Sequence, residues 1–448
     1  MIALVATARE VSVMVGTLSF DRLRSILVAT VTHLPDHRTG LHRRYEMADA
    51  ALGAFAVFFT QSPSFLAYQR DMQRRKGRNN AQSLFGLDQV PTDPQIRNLL
   101  DPIAPECLAP AFWRVFEHLQ QGDYLKSYQG WLGRWLLAFD GTQYFHSTEI
   151  HCPQCTTRVL NERIHYSHAL VAPLIVAPGH SQVIALEPAF IMPQDGQEKQ
   201  DCELRATERW LKRNAQRFPA GSVTVLGDDL YAHQPFCALL KTYQWHFAFT
   251  CKPESHAALY QEIALLAKVG GVQQVTERHH NGARREVWQY RYATRVPLRA
   301  DMQPLYVNWC EVTITDAATG QVLYHNAWAT DHTLEAAALH PFVVAARTRW
   351  KSENENNNVL KHYGYHLEHN FGHGQQYLAL VLVMLNVFAF LYHTVLDLCD
   401  ALYRQVRAEL VARQTFFHDL QALTRYLFFP SWQALLQFMA AGLELDTS

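Results

Sequence analysis

The stretch 135–142, WLLAFDGT, decides how the middle of the chain is read. Trp135 to Phe139 is apolar without a break, and Asp140 and Gly141 close the run. A short apolar run closed by turn-forming residues reads as a strand buried on both faces. A second such run, Val223 to Gly227 in VTVLGDDLYA, leads into Asp228 and Asp229. Between the two, Ile164 to Val176 and Gln182 to Ile191 read as a hairpin pair turning at Pro178-Gly179-His180. Asp201 to Phe218 reads as a helix with Leu204, Trp210 and Leu211 on its apolar side. Pro235 to Tyr243 reads as a further helix and His246 to Cys251 as a further strand. Three strands, then helix, strand, helix and strand, predict a mixed α/β sheet with strands joined by helical crossovers.

Outward from this centre the patterning changes. Phe20 to His33 has helical periodicity, and Pro35 to Arg44 reads as a linker carrying Arg38, Arg43 and Arg44. Residues 46–125 read as helices. Met47 to Thr60 comes first, Ser62-Pro63-Ser64 breaks it, and Phe65 to Met72 resumes. The basic stretch RDMQRRKGRNN, Arg70 to Asn80, reads as a loop containing Arg74, Arg75 and Lys76. Thr92 or Asp93 offers an N-cap ahead of Pro94, and Pro110 to Gln121 is helical. On the other side, Val287 to Ala293, Leu305 to Thr315 and Val322 to Thr330 are β-rich, with a turn at Ala317 to Gly320. Helix returns over Leu334 to Lys361 and continues to about Leu443. The expected organisation is an N-terminal extension (1–45), a helical region (46–130), an α/β domain (131–400) with a β-rich insertion at about 265–332, and a C-terminal helical region (401–448).

The bulk numbers narrow the function. The chain has 448 residues, 48% hydrophobic and 12% aromatic, which supports a filled core. Forty basic residues against 41 acidic give a net charge of −1, so any nucleic-acid contact must come from local patches. Of the eight Cys, only Cys152 and Cys155 are close; that pattern is no disulfide framework and suits a reducing cytoplasm. Arg9 and Glu10 interrupt the apolar N-terminus, which argues against a signal peptide. Tyr377 to Tyr392 is the strongest apolar run. It holds Asn386 and is shorter than the roughly 18–20 residues of a membrane span, so it reads as a core helix.

Residues that carry chemistry lie in three blocks. Asp140 and Asp228 follow apolar runs, and Glu353 lies in RWKSENENNNVLKHYGYHLEHNFGHG, residues 349–374. Carboxylates distant in sequence that converge at the ends of adjacent elements suit a two-metal phosphodiester site. Mg²⁺ or Mn²⁺ fits oxygen ligands of this kind. Asp229 competes with Asp228, and Glu355 with Glu353. Arg349, Trp350 and Lys361 flank the acids, and guanidinium and ammonium groups suit phosphate contacts.

The 349–374 block resembles the C-terminal catalytic block of bacterial insertion-sequence transposases with a DDE active site. DGTQYF and LGDDLYAHQPFC resemble the two Asp blocks of that family, and QDGQEKQDCELRATERWL and FTCKPESH are also similar to it. The resemblance runs from about Ala48 to Gly374. It implies an RNase H-like catalytic core, with Asp140, Asp228 and Glu353 holding Mg²⁺, and a helical region that binds DNA. It further implies cleavage at terminal inverted repeats, strand transfer, and a homodimer on double-stranded DNA ends. In the family's Tyr-Arg-Glu-Lys signature, Arg349 and Glu353 match, the Tyr position falls on Ala346, and the Lys position falls on Leu360 with Lys361 next. The alignment prefers Glu353 over Glu355. It prefers Asp228 over Asp229, because Tyr231 follows Asp228 by three. It also makes Trp288 and Trp309 of the insertion candidates for stacking on a flipped base, against an ordinary core role. A nuclease without strand transfer and a non-catalytic DNA-binding derivative are the alternatives.

Two further groups stand apart. Cys152-Pro-Gln-Cys155 can supply two zinc thiolates, with His168 and Cys202 as further ligands and His151 and His165 also within the same region; two reduced structural thiols are the alternative. His366, His369 and His373 match no zinc-hydrolase motif.

Overall fold

The computed structural model describes residues 18–39, 43–72, 75–195, 199–282, 284–410 and 412–446, without the side chains of 75–78 and 199–201. The reading of the first residues as no signal peptide lies outside this set, as does Arg74. Of Arg75 and Lys76 only the backbone is described.

Among the described residues, six α-helices precede the sheet: α1 (Phe20–Val31), α2 (Met47–Phe59), α3 (Phe65–Met72), α4 (Arg75–Phe85), α5 (Asp93–Leu100) and α6 (Ala109–Gln121). Helix α4 corrects the expected loop at Arg70–Asn80. A single Gly costs a helix only about 1 kcal/mol, and tertiary contacts hold this one. The fully buried Asn80 donates to the carbonyls of Thr424 (2.6 Å) and Leu427 (2.7 Å) and accepts from the Phe429 amide (2.9 Å).

The central strands are β1 (Trp135–Ser147), β2 (Thr156–Leu160), β3 (Arg163–Val176), β4 (Ile184–Ala185) and β5 (Ala189–Ile191). Next come α7 (Lys199–Asn214), β6 (Val223–Gly227), α8 (Gln234–Thr242), β7 (His246–Thr250) and α9 (Ala257–Lys268). Four long strands follow: β8 (Gln273–Asn281), β9 (Arg284–Pro297), β10 (Tyr306–Asp316) and β11 (Val322–Thr330). All belong to one sheet ordered β2-β3-β1-β6-β7-β11-β10-β9-β8, with β4 and β5 also paired to β3. β1 is antiparallel to β3 and parallel to β6, β6 is parallel to β7, and β11 returns antiparallel to β7. The late strands therefore extend the central sheet. Trp288 and Trp309 are buried within them, and Trp288 donates to Glu286, so both are core side chains.

The C-terminal part holds α10 (Leu339–Arg347), a π-helical turn (Ser352–Asn357), α11 (Asn358–His362), α12 (Leu378–Cys399), α13 (Ala401–Glu409), α14 (Arg413–Tyr426) and α15 (Trp432–Gly442). At 22 residues, α12 is longer than the sequence pattern indicated and long enough to cross a membrane, but its most apolar window is entirely buried within the protein. Helices from both ends of the chain share the core around it. Phe20 stacks on Trp432 at 4.8 Å, and the Tyr392 hydroxyl donates to the Phe20 carbonyl at 2.8 Å. The architecture is thus mixed α/β, with helices before and after a central mixed sheet.

Candidate functional site

The site forms where β1 and β6 run side by side. Their parallel pairing extends from Trp135 opposite Val223 to Ala138 opposite Leu226. The same register carried onward sets Asp140 beside Asp228, whose backbone is still extended at φ −77° and ψ −172°. Neighbouring strands lie about 4.8 Å apart, and residues in register on parallel strands face the same side. Asp140 is not at a strand end, as the sequence had indicated. β1 continues through Gly141 to Ser147 because Thr142 to Ser147 keep pairing with β3, across an irregularity near Phe145.

The two glycines of the motifs make room for side chains. A Cβ on Gly141 would stand 2.3 Å from the carboxyl carbon of Glu203, and one on Gly227 would stand 2.8 Å from the ring of Tyr231. Burial pushes the Tyr231 hydroxyl well above its ordinary pKa, and the charges of Glu203, Asp228 and Asp140 add to the effect. The fields of three carboxylates therefore reach this hydroxyl. Glu203, on α7 and buried, is a residue the sequence reading missed. The Gly141 approach that reveals it is a tertiary contact with no local signal.

Asp228 and Asp229 divide their roles. Asp228 caps the short turn after β6 by accepting from the Leu230 amide at 3.1 Å. Asp229 turns towards the start of α9, accepting from the Lys252 amide at 2.7 Å and lying 3.2 Å from His256. Burial opposes ionisation of Asp229, but hydrogen bonds from His256, Ser255 and Lys252 hold its pKa below the ordinary value. Asp229 is thus committed to structure.

The segment 349–357 crosses over β1. Arg349 Nη1 lies 3.8 Å from Asp140 Oδ1, and Asn357 Nδ2 donates to Asp140 Oδ2 at 2.7 Å. Asn356 Nδ2 donates to Asn357 Oδ1 at 2.9 Å, so the Asn run is a hydrogen-bonded chain ending on Asp140. Glu353 lies four residues after Arg349 and four before Asn357, about one turn from each. It is exposed. Glu355 lies towards another surface, in a cleft with Ser181, Trp350 and Lys351. Lys351 is buried there and donates to the carbonyls of Ala177 and His180, which pins the segment to the turn after β3. Burial lowers the Lys351 pKa, and Glu355 opposes that shift. Trp350 is 45% exposed beside Lys351. Lys361 is paired with Glu368 at 2.9 Å. Among the described residues, Asp140, Asp228 and Glu353 do not form one set of ligand atoms all within 4.8 Å of one another.

A separate cluster has clear metal-binding capacity. Cys152, Cys155, His168 and His373 are all buried, and one ligand atom from each lies within 4.8 Å of the others. The fourth position belongs to His373 and not to Cys202, which lies on α7 next to Glu203. Two mixed sets, His246 with Asp331 and His332, and Glu277 with His279 and His340, are partly buried. No family model matches the chain, and no curated protein matches it.

Proposed function

We propose that this chain is a DDE transposase of the bacterial insertion-sequence type, built on an RNase H-like core that the β-rich strands extend. The observation that carries the reading is that β1 and β6 run parallel, with Asp140 on β1 two residues past their last paired position and Asp228 just after the end of β6, and with the 349–357 segment laid over Asp140. The strand order β3-β1-β6-β7, with β3 reversed, also supports it.

The donor set is all oxygen, which suits Mg²⁺ or Mn²⁺. Asp140, Asp228 and Glu353 are the residues that would hold the ions. Separate carboxylates on two ions about 3.5–4 Å apart need not crowd into a single cage. When bound, the ions supply activation of the attacking oxygen and stabilisation of the leaving one. Asn357 fixes the rotamer of Asp140 through a charge-assisted hydrogen bond. Arg349, 3.8 Å from the same carboxylate, is the cation that would meet a phosphate oxygen of double-stranded DNA. Lys361 is already paired with Glu368, and Trp350 is exposed on the flank. The reaction is in-line attack of water on phosphorus with release of a 3′-OH, which then attacks target DNA. Such a protein works in the bacterial cytoplasm as a homodimer joining two transposon ends.

The test incubates the full chain and its Asp140→Asn variant with Mg²⁺ and DNA carrying the sequences that flank its gene. Nicking at ends followed by joined products in wild type, with binding but no cutting in the variant, supports the reading. Cut ends that are never joined would reduce it to a nuclease. Cutting that survives Asp140→Asn would sink it.

A further inference from the structure

We infer that Cys152, Cys155, His168 and His373 form a structural zinc site that ties the segment after the Glu353 helix to the central sheet. Zinc at about 2.3 Å from sulfur and 2.0–2.1 Å from nitrogen, in tetrahedral geometry, requires S···S near 3.8 Å and S···N near 3.5 Å. Cys152 Sγ and Cys155 Sγ lie 3.9 Å apart. His168 Nε2 lies 3.5 Å from Cys152 Sγ and 3.4 Å from Cys155 Sγ, and His373 Nε2 lies 3.5 Å from Cys155 Sγ. These are four of the six edges of a zinc-sized tetrahedron, and the remaining two are no longer than 4.8 Å. The two sulfurs and two imidazoles are the donor types zinc takes in closed sites.

The surrounding chain is shaped to present these atoms. Cys155 N–H donates to the Cys152 carbonyl at 3.1 Å, and Cys152 N–H points at Cys155 Sγ at 3.4 Å, so the CxxC turn directs both thiols inward. His168 is held on β3, where it pairs with Phe145 of β1. The His373 ring packs on Phe145 at 4.4 Å, and its Nδ1 has no hydrogen-bond partner among the described residues. The polar attachment of that ring is therefore at the sulfurs. Gly374, at φ +72°, lets the chain turn after His373. A Cβ there would come within 2.2 Å of Asp101, whose carboxylate accepts from the amides of Gln375, Gln376 and Leu378. The segment is thus anchored on both sides of the ligand.

The three segments that meet are the β1–β2 connection, β3, and the approach to α12. A metal here cross-links the connection after β1, and β3 paired to β1, to the stretch that follows Glu353. The site does not depend on the transposase reading, because metal content is measured without DNA.

The full chain is produced with zinc supplied, desalted, and assayed by plasma mass spectrometry and by zinc X-ray absorption. About one zinc per chain, with two sulfur and two nitrogen scatterers, is expected. Replacement by Co²⁺ should give thiolate-to-cobalt absorption. His373→Ala should cut retained zinc at least about tenfold, His373→Cys should restore it, and Cys202→Ser should leave it unchanged. Wild-type protein carrying no zinc above background, and giving no thiolate absorption with Co²⁺, would overturn the site. A first shell lacking sulfur, or zinc fully retained in His373→Ala, would do the same.

Discussion

Gly141→Ala probes the packing at the centre of the site. The new methyl carbon would lie 2.3 Å from Cδ and 2.5 Å from each carboxyl oxygen of Glu203. Carbon atoms meet comfortably at about 3.5–4.0 Å, so the carboxyl group must retreat by about 1 Å. Its tip is flexible, but Glu203 is only 4% exposed and sits on a helix packed against the sheet. It cannot swing into water, so α7 or β1 must give way. Overpacking of this kind costs about 1–3 kcal/mol. In a Glu203→Ala background the obstructing atoms are gone, and the same methyl should cost less than about 0.5 kcal/mol, which gives a coupling energy of about 0.5–3 kcal/mol. Urea denaturation of the four proteins, followed by tryptophan fluorescence through one common transition, reads this directly. Equal costs of Gly141→Ala in both backgrounds would refute the contact between Gly141 and Glu203.

Asn357→Ala removes a 2.7 Å hydrogen bond to Asp140; end cleavage in single turnover should slow about 10- to 100-fold with end binding unchanged, and an unaltered rate counts against a positioning role. Glu353→Gln should abolish cleavage whereas Glu355→Gln, in the cleft beside Lys351, should retain most of it; the reverse outcome would exchange the two acids. His332 is buried and its pKa is held down to about 3 by burial, with Asp331 opposing and His246 and Arg134 adding to the shift. Below about pH 6.5 the unfolded chain takes up a proton at this position that the folded chain refuses, so stability falls as pH drops from there towards about 3. His332→Gln should flatten the slope of stability between about pH 4 and 6.5; buried His393, lowered in the same direction, leaves part of it, and an unchanged slope would show that His332 is accessible.

The alternation of elements was legible because apolar runs and turn residues are local signals. Val223–Gly227 and the β strand at Val322–Thr330 fall where their residues alone predict. Strand β8 and helix α9 were not legible: β8 is polar and largely exposed at the sheet edge, held by pairing to β9. Helix α4 was hidden by its charge and its glycine, and the anchor at Asn80 lies more than 300 residues from its partners.

From sequence alone came the residue types: two acids after apolar runs, a third beside an Arg and a basic flank, and a CxxC awaiting partners. What each competing acid touches was decided by the fold. Asp229 is consumed by the start of α9, Glu355 lies towards Lys351, and the parallel pairing of β1 with β6 brings Asp228, just past β6, to the same end as Asp140. The partners of Glu203, Asn357 and His373 emerged only through space, since nothing in local periodicity records which residue 62, 217 or 218 positions away will lie alongside. Burial is written in a residue and its neighbours along the chain. Convergence of polar atoms depends on how separate elements cross, and that is settled only when the core around β1 and α12 has closed.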